Sequence, residues 1–250
     1  MSATVVTCYY RLKSKHSPEQ YDLWLTTFLE NIACNLVIFT SPGLVQYLYD
    51  KRSKFPEKTR IYPIELADLE IAKKYKDFWD KQYEMDLQKH TGRTKECYIL
   101  WNSKLWFLKK VVEENPFGSE AFIWNDIGCL RTGNQTIIKY LGSHYPNKDH
   151  ISKDYIDIVL LKPFQNMSQR VFIDEVHFSG AQMGGHKDAI LRFYDLFYRM
   201  LDAHIKAGIF IGCDQQTISS VYLENPELFH CISVEKAWID SWFFLWQHYS

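Results

Sequence analysis

Short apolar runs alternate along this chain with stretches in which apolar positions recur every three or four residues. The runs read as buried strands. The recurring stretches read as helices with one face turned inward. Residues 5–10 (VVTCYY), 35–41 and 59–64 are the first three strands on this reading, 121–124 the fourth, and 155–161 and 171–178 two more. Ser17 and Pro18 open a helix whose apolar positions Tyr21, Trp24, Leu25, Phe28 and Leu29 share a face. A short helix is expected over 44–51, long ones over 67–88, 96–114 and 188–207, and another ending near Tyr222. Residues 179–187 (SGAQMGGHK) read as a glycine-rich turn. Strands separated by helices must return by crossovers, so the pattern predicts an α/β fold with a largely parallel sheet. No repeat, low-complexity tract or long linker interrupts it, so residues 1–250 are expected to form a single domain. In the tail, Trp238, Trp242 and Trp246 are four apart, which places them on one helical face. That face is expected to pack onto the body of the domain; docking on a partner protein is the other reading.

Composition narrows the classes. A formal net charge of -1 lacks the basic excess of a nucleic-acid binder. The six cysteines form no CxxC pair, and four lie in apolar runs, which fits reduced, buried thiols. No basic leader with an apolar run opens the chain, and no stretch approaches 18 apolar residues. A cytoplasmic protein without a membrane span is therefore expected. An aromatic share of 16% suits either sugar-stacking surfaces or a core of large rings.

Several segments carry candidate chemistry. An apolar strand delivers Asp126 to a strand end in Trp124-Asn125-Asp126-Ile127-Gly128. Ligands of open α/β sheets bind beyond the carboxyl ends of strands. An Asp there can hold a divalent cation against a diphosphate, or it can simply cap a turn. Gly184, Gly185, His186 and Lys187 precede a helix, where free backbone N–H groups can meet an anion. The same glycines also fit an ordinary loop. Asp214 opens a helix after an apolar run, as general base, as helix cap or as both. Lys104 can reach a carboxylate or phosphate, or can stand in solvent. His230 lies among apolar residues, as a third metal ligand or as an ordinary side chain.

Taken in order, these segments resemble the HtrL/YibB-like family, a group related to nucleotide-sugar glycosyltransferases of the GT-A fold. VVTCYY, LVIFTSP, WNSKLWFLKKVVEENPF, FIWNDIGCLR, SGAQMGGHKDAI and GCDQQTISSVYLENPELF carry the resemblance over residues 5–229. It implies a mixed, mainly parallel sheet flanked by helices. It puts Asp126 in the place of the DxD element that meets Mn²⁺ or Mg²⁺ and the diphosphate. It puts Val6, Thr7 and Tyr9 in the nucleotide pocket, with Thr40 and Arg52 beside them. The Gly184-Gly185-His186 turn, Asp214 and Gln215 fall on the acceptor and catalytic side. The second carboxylate of a DxD is missing here, which leaves a metal-independent enzyme open, with Lys104, Arg131 or His186 neutralising the diphosphate. The expected activity is glycosyl transfer from a nucleotide-sugar to a glycan hydroxyl, inverting if Asp214 is the base. A non-catalytic nucleotide- or glycan-binding protein on the same fold is the alternative.

Overall fold

The computed structural model describes residues 2–13, 16–169, 171–172 and 175–250. Unbroken apolar runs become strands buried on both faces: β1 (Ala3–Tyr9), β2 (Asn35–Thr40) and β4 (Ala121–Asn125), with β3 (Thr59–Pro63) at the edge. β5 (Ile156–Leu160), β6 (Phe178–His186) and β7 (Phe229–Ser233) complete a seven-stranded sheet in the order β3-β2-β1-β4-β6-β5-β7. The first four of these strands in space run parallel. β6 enters antiparallel between β4 and β5, and β7 lies parallel to β5. The fold is thus α/β, with a mixed and mainly parallel sheet.

Alternation along each strand divides the core in two. Val5, Leu36 and Ile123 face α1 (Pro18–Asn31), α2 (Val45–Lys51), α7 (Gln135–His144) and α10 (Leu245–His248), which bring Leu25, Phe28, Leu48, Leu141, Leu245 and Trp246. Val6, Val37 and Trp124 face α5 (Lys95–Asn102), α6 (Lys104–Glu114), α8 (Lys187–Lys206) and α9 (Asp214–Glu224). Each fully buried Leu, Phe or Ile contributes about 1.5–3 kcal/mol, so both layers are substantial. Among the described residues, no helix is long and apolar enough to cross a membrane.

Four local expectations are corrected. The helix expected over 67–88 is two short ones, α3 (Glu70–Lys74) and α4 (Trp79–Met85). Tyr75, at the break, is tied by its hydroxyl to Asp202, and the Trp79 indole N–H donates to the Ile71 carbonyl at 3.3 Å. The 96–114 helix breaks at Ser103 into α5 and α6. There the Ser103 hydroxyl donates to the Ile99 carbonyl at 2.6 Å, and the Asn102 amide reaches the carbonyls of Ile211 and Gly212 at 3.2 Å each. The presumed turn at 179–187 is mostly strand β6, because its glycines sit under neighbours: a Cβ at Gly185 would lie 2.8 Å from the Tyr155 carbonyl. Of the strand expected over 171–178, only Phe178 joins the sheet among the described residues; Ile173 and Asp174 lie outside them.

The three tail tryptophans do not share a face, since the tail is a one-turn segment (Ser241–Phe243) followed by the short α10. Trp246 is buried against Phe28 and Tyr145, whereas Trp238 leans on Tyr140 at the surface.

Arg52, offered above for the nucleotide pocket, is instead fully buried inside the α1–α2 corner. Its guanidinium donates to the carbonyls of Leu29, Ile32 and Cys34 at 3.1, 2.7 and 2.9 Å and to the Thr59 hydroxyl at 3.0 Å. It satisfies the end of α1 and the approach to β2. Charged hydrogen bonds of this kind contribute about 1.5–3 kcal/mol each. Arg52→Met is therefore expected to lower stability by about 3 kcal/mol or more, or roughly 6–12 °C in melting temperature for a chain of this size. Thermal denaturation checks this. An unchanged melting point with weakened nucleotide binding would return Arg52 to the pocket.

Candidate active site

β4 ends at Asn125, and the next backbone N–H, that of Asp126, still donates to the Ala181 carbonyl of β6 at 2.8 Å. Asp126 therefore stands where the sheet stops. It shares the parity of Trp124 and so faces the α6 side. The Trp124 indole N–H donates to Asp126 Oδ1 at 2.8 Å, and the indole is stacked on Phe107. Asp126 keeps 39% of its side chain exposed. Asp214 arrives from the same side as the first residue of α9, buried, with Oδ1 accepting from the Gln215 N–H at 3.0 Å.

Lys104 joins them. The break at Ser103 makes it the first residue of α6, and its ammonium lies 3.1 Å from Asp126 Oδ1 and 3.0 Å from Asp214 Oδ2. It also donates to the Gly180 carbonyl at 2.7 Å. The contact with Asp214 Oδ2 is an ion pair with no aligned hydrogen bond, and that oxygen is sealed from solvent. Gly180 closes the far side: a Cβ there would lie 2.7 and 2.9 Å from the Asp214 carboxylate oxygens.

Burial opposes the charge on Lys104, but Asp126 and Asp214 outweigh it and hold the ammonium's pKa above the ordinary lysine value. Burial raises the Asp214 pKa, with Asp126 adding to it, and Lys104 pulls the other way. Cys8, at the end of β1, lies beside the pair; burial first, and then Asp126, push its thiol well up.

The remaining predicted residues scatter. Asn125 points to the opposite face, where its amide donates to the Tyr145 hydroxyl at 2.7 Å and its carbonyl accepts from Gln182 at 2.8 Å. Val6 and Thr7 are fully buried in β1. Thr40 is buried too, and its hydroxyl donates to the Tyr9 carbonyl at 2.6 Å. Tyr9 alone of this group is part-exposed, at the carboxyl end of β1. Gln215 stays close to Asp214, its amide donating to the Phe178 carbonyl at 3.2 Å.

His186, paired with Ala121, lies at the amino end of β4, away from Asp126. Gly184 and Gly185 are interior to β6 and line no site here; a Cβ on Gly184 would meet the Tyr249 hydroxyl at 2.5 Å. His230 pairs with Asp157 on β5 and faces the α1 side of the sheet, so it does not meet Asp126. Two contributors are not marked by the sequence pattern above: Trp124 as a donor and Gly180 as a wall. An indole two residues before a strand-end Asp, on the same face, is the signal that could have found the first.

A family model described as "Bacterial protein of unknown function (HtrL_YibB)" matches residues 2–247. The chain belongs to the HtrL/YibB family. No curated protein matches it. Among solved structures, the crystal structure of mouse xyloside xylosyltransferase 1 in its apo form is similar, with 14% identity over 93% of this chain and 85% of that one and a TM-score of 0.48.

In this HtrL/YibB protein, the divalent cation implied by the resemblance has one carboxylate to meet. Asp126 Oδ1 is engaged by Trp124 and Lys104, which leaves Oδ2 as a hard oxygen ligand of the kind Mg²⁺ and Mn²⁺ accept. Phosphate oxygens and water would have to supply the rest of the shell. The fixed cation of the site is Lys104.

Removing that cation leaves Asp214 buried without compensation. Its folded pKa is already above the unfolded value, so proton uptake favours the folded state, and this contribution is lost as pH rises through the folded pKa. Lys104→Met removes the largest influence holding that pKa down and leaves only the Gln215 N–H opposing the rise. We expect a loss of about 3–5 kcal/mol at pH 8, shrinking toward pH 5 as Asp214 takes up a proton. Urea denaturation of both proteins across this range measures the gap. A gap independent of pH would mean that Asp214 does not depend on Lys104.

Proposed function

We propose that this HtrL/YibB protein is a glycosyltransferase that moves a sugar from a nucleotide-sugar donor to a hydroxyl of a glycan acceptor. One observation carries the reading: a buried ammonium is fixed between two carboxylates where β4 runs out. The resemblance of the chain's segments to nucleotide-sugar glycosyltransferases of the GT-A fold supports the reaction class. The geometry supports a division of labour.

As the bond from the anomeric carbon to the donor oxygen breaks, the diphosphate leaves with the electron pair and gains charge. A preorganised cation at that position stabilises the transition state more than the ground state. Lys104 does this, and Asp214, Asp126 and the Gly180 carbonyl hold it in place. Asp126 Oδ2 would carry Mn²⁺ or Mg²⁺, which when bound neutralises further diphosphate charge. The acceptor oxygen forms the new bond to the anomeric carbon and gives its proton to Asp214 where that residue is the base, or to an oxygen of the departing diphosphate where Asp214 only positions Lys104. Tyr9 keeps some exposed surface, but its ring lies beside Tyr47 on the α1 side of the sheet, so it could meet a donor only across the strand ends.

Asp214 has two roles to be separated. Its sealed Oδ2 favours a positioning role, holding Lys104. Its raised proton affinity favours the second reading, in which it accepts the acceptor proton and the product is inverted.

A panel of nucleotide-sugars, with and without Mn²⁺, is expected to contain a donor that raises the melting point; at 100 times its Kd the stabilisation is about 2.7 kcal/mol. With that donor, Lys104→Met and Asp126→Asn are expected to lower kcat/KM by about 10²-fold or more. Binding without transfer to any acceptor would instead leave a nucleotide- or glycan-binding protein. For Asp214→Asn, a joint loss of donor affinity and kcat marks the positioning role. Unchanged affinity marks the base role, together with loss of an acid limb lying above the ordinary aspartate range.

A further inference from the structure

The α1 face of the sheet carries a second polar cluster that glycosyl transfer does not use. Asp157 interrupts the apolar run of β5 and is fully buried. His230, its register partner on β7, places Nδ1 2.7 Å from Asp157 Oδ1, and half of its side chain is exposed. His248, part-buried in the last turn of α10, completes the group: one ligand atom from each of the three residues lies within 4.8 Å of the others.

The support behind the carboxylate is built. Asp157 Oδ2 accepts from the Ser152 N–H at 2.8 Å and from the Tyr249 hydroxyl at 3.0 Å. The Ser152 hydroxyl donates to Oδ1. Gly184 leaves room for the Tyr249 hydroxyl, since a Cβ there would lie 2.5 Å from it. A carboxylate oriented in this way, next to two imidazoles from separate segments, is how hydrogen bonds from surrounding groups hold metal ligands in place.

We propose that Asp157, His230 and His248 form a binding site for a divalent transition-metal ion, Zn²⁺ before the others, that clips the C-terminal helix to the β5–β7 edge. Two imidazoles and one carboxylate are borderline ligands suited to Zn²⁺, whereas Mg²⁺ and Ca²⁺ prefer all-oxygen shells. Three protein ligands leave the fourth tetrahedral position to water on the exposed side of His230. To bind, the metal replaces the His230–Asp157 hydrogen bond, so both imidazoles must be neutral. The site lies on the other face of the sheet from Asp126, so it stands or falls independently of the transferase reading.

The test is calorimetric titration of the full chain with ZnCl₂ near pH 7.5, without nucleotide, followed by thermal denaturation. One equivalent is expected with micromolar or tighter affinity, and a melting point raised by about 5–10 °C at 100 times the Kd. Asp126→Asn is expected to leave stoichiometry and affinity unchanged. His248→Ala and His230→Ala, at positions that are not fully buried, are each expected to weaken Zn²⁺ binding by at least about 10-fold, the lower end for disturbing a metal shell. In the wild type, Co²⁺ is expected to give the intense visible absorption of a four-coordinate ion, lost in His248→Ala. Absence of a stoichiometric Zn²⁺ site, or equal affinity in the His230→Ala/His248→Ala protein, overturns the proposal.

Discussion

A positive charge buried between two negative ones organises this molecule. An ammonium taken out of water is tolerated only where partners meet it, and Lys104 has three: Asp126, Asp214 and the Gly180 carbonyl. Each comes from a different part of the chain. Asp126 follows a central strand, Asp214 opens a helix, and Gly180 lies in the antiparallel strand between them. Much of the architecture can be read as the means of bringing these four residues together. The helix break at Ser103 belongs to it, because a continuous helix would lack the polar junction that ties Asn102 to the carbonyls just ahead of Asp214.

The reversal of β6 has a second effect. It runs the chain back along the sheet, so the glycines at its two ends serve unrelated purposes. Gly180 makes room for a carboxylate on the α9 side, and Gly184 makes room for a tyrosine on the α1 side. In a regular strand this four-residue spacing would keep both glycines on one face; the register shift of β6 against β5, where Ile158 pairs with Met183 but Leu160 with Phe178, flips the alternation and turns them to opposite faces. The histidine that ends the strand lies at the opposite end from Asp126, which accounts for its absence from the charged cluster.

Much of the framework was legible in the sequence because it obeys short-range rules. Buried runs gave the early strands, Ser17-Pro18 gave the start of α1, and Asp126, Asp214 and Lys104 were all identified from strand-end or helix position. What escaped depends on contacts between distant segments. Glycine richness suggested a turn at 179–187, but a strand pressed against other backbone also requires glycine. Arg52 reads as a neighbour of the nucleotide pocket in sequence, yet three backbone carbonyls enclose its guanidinium. Asn125 and Asp126 are adjacent in sequence, yet strand alternation sends them to opposite faces. Asp157 did leave a trace, a carboxylate inside YIDIVLL, although its histidine and tyrosine partners lie more than 70 residues further along.

Gly180 narrows the routes by which this site can change. Its carbonyl grips the lysine, and its bare α-carbon lies flush against the aspartate. Any other amino acid there would displace one charge while keeping its hold on the other. The inner wall is therefore closed to gradual redesign by substitution, and natural drift or laboratory retuning of this cluster has to begin on its outer rim, at the open side of Asp126.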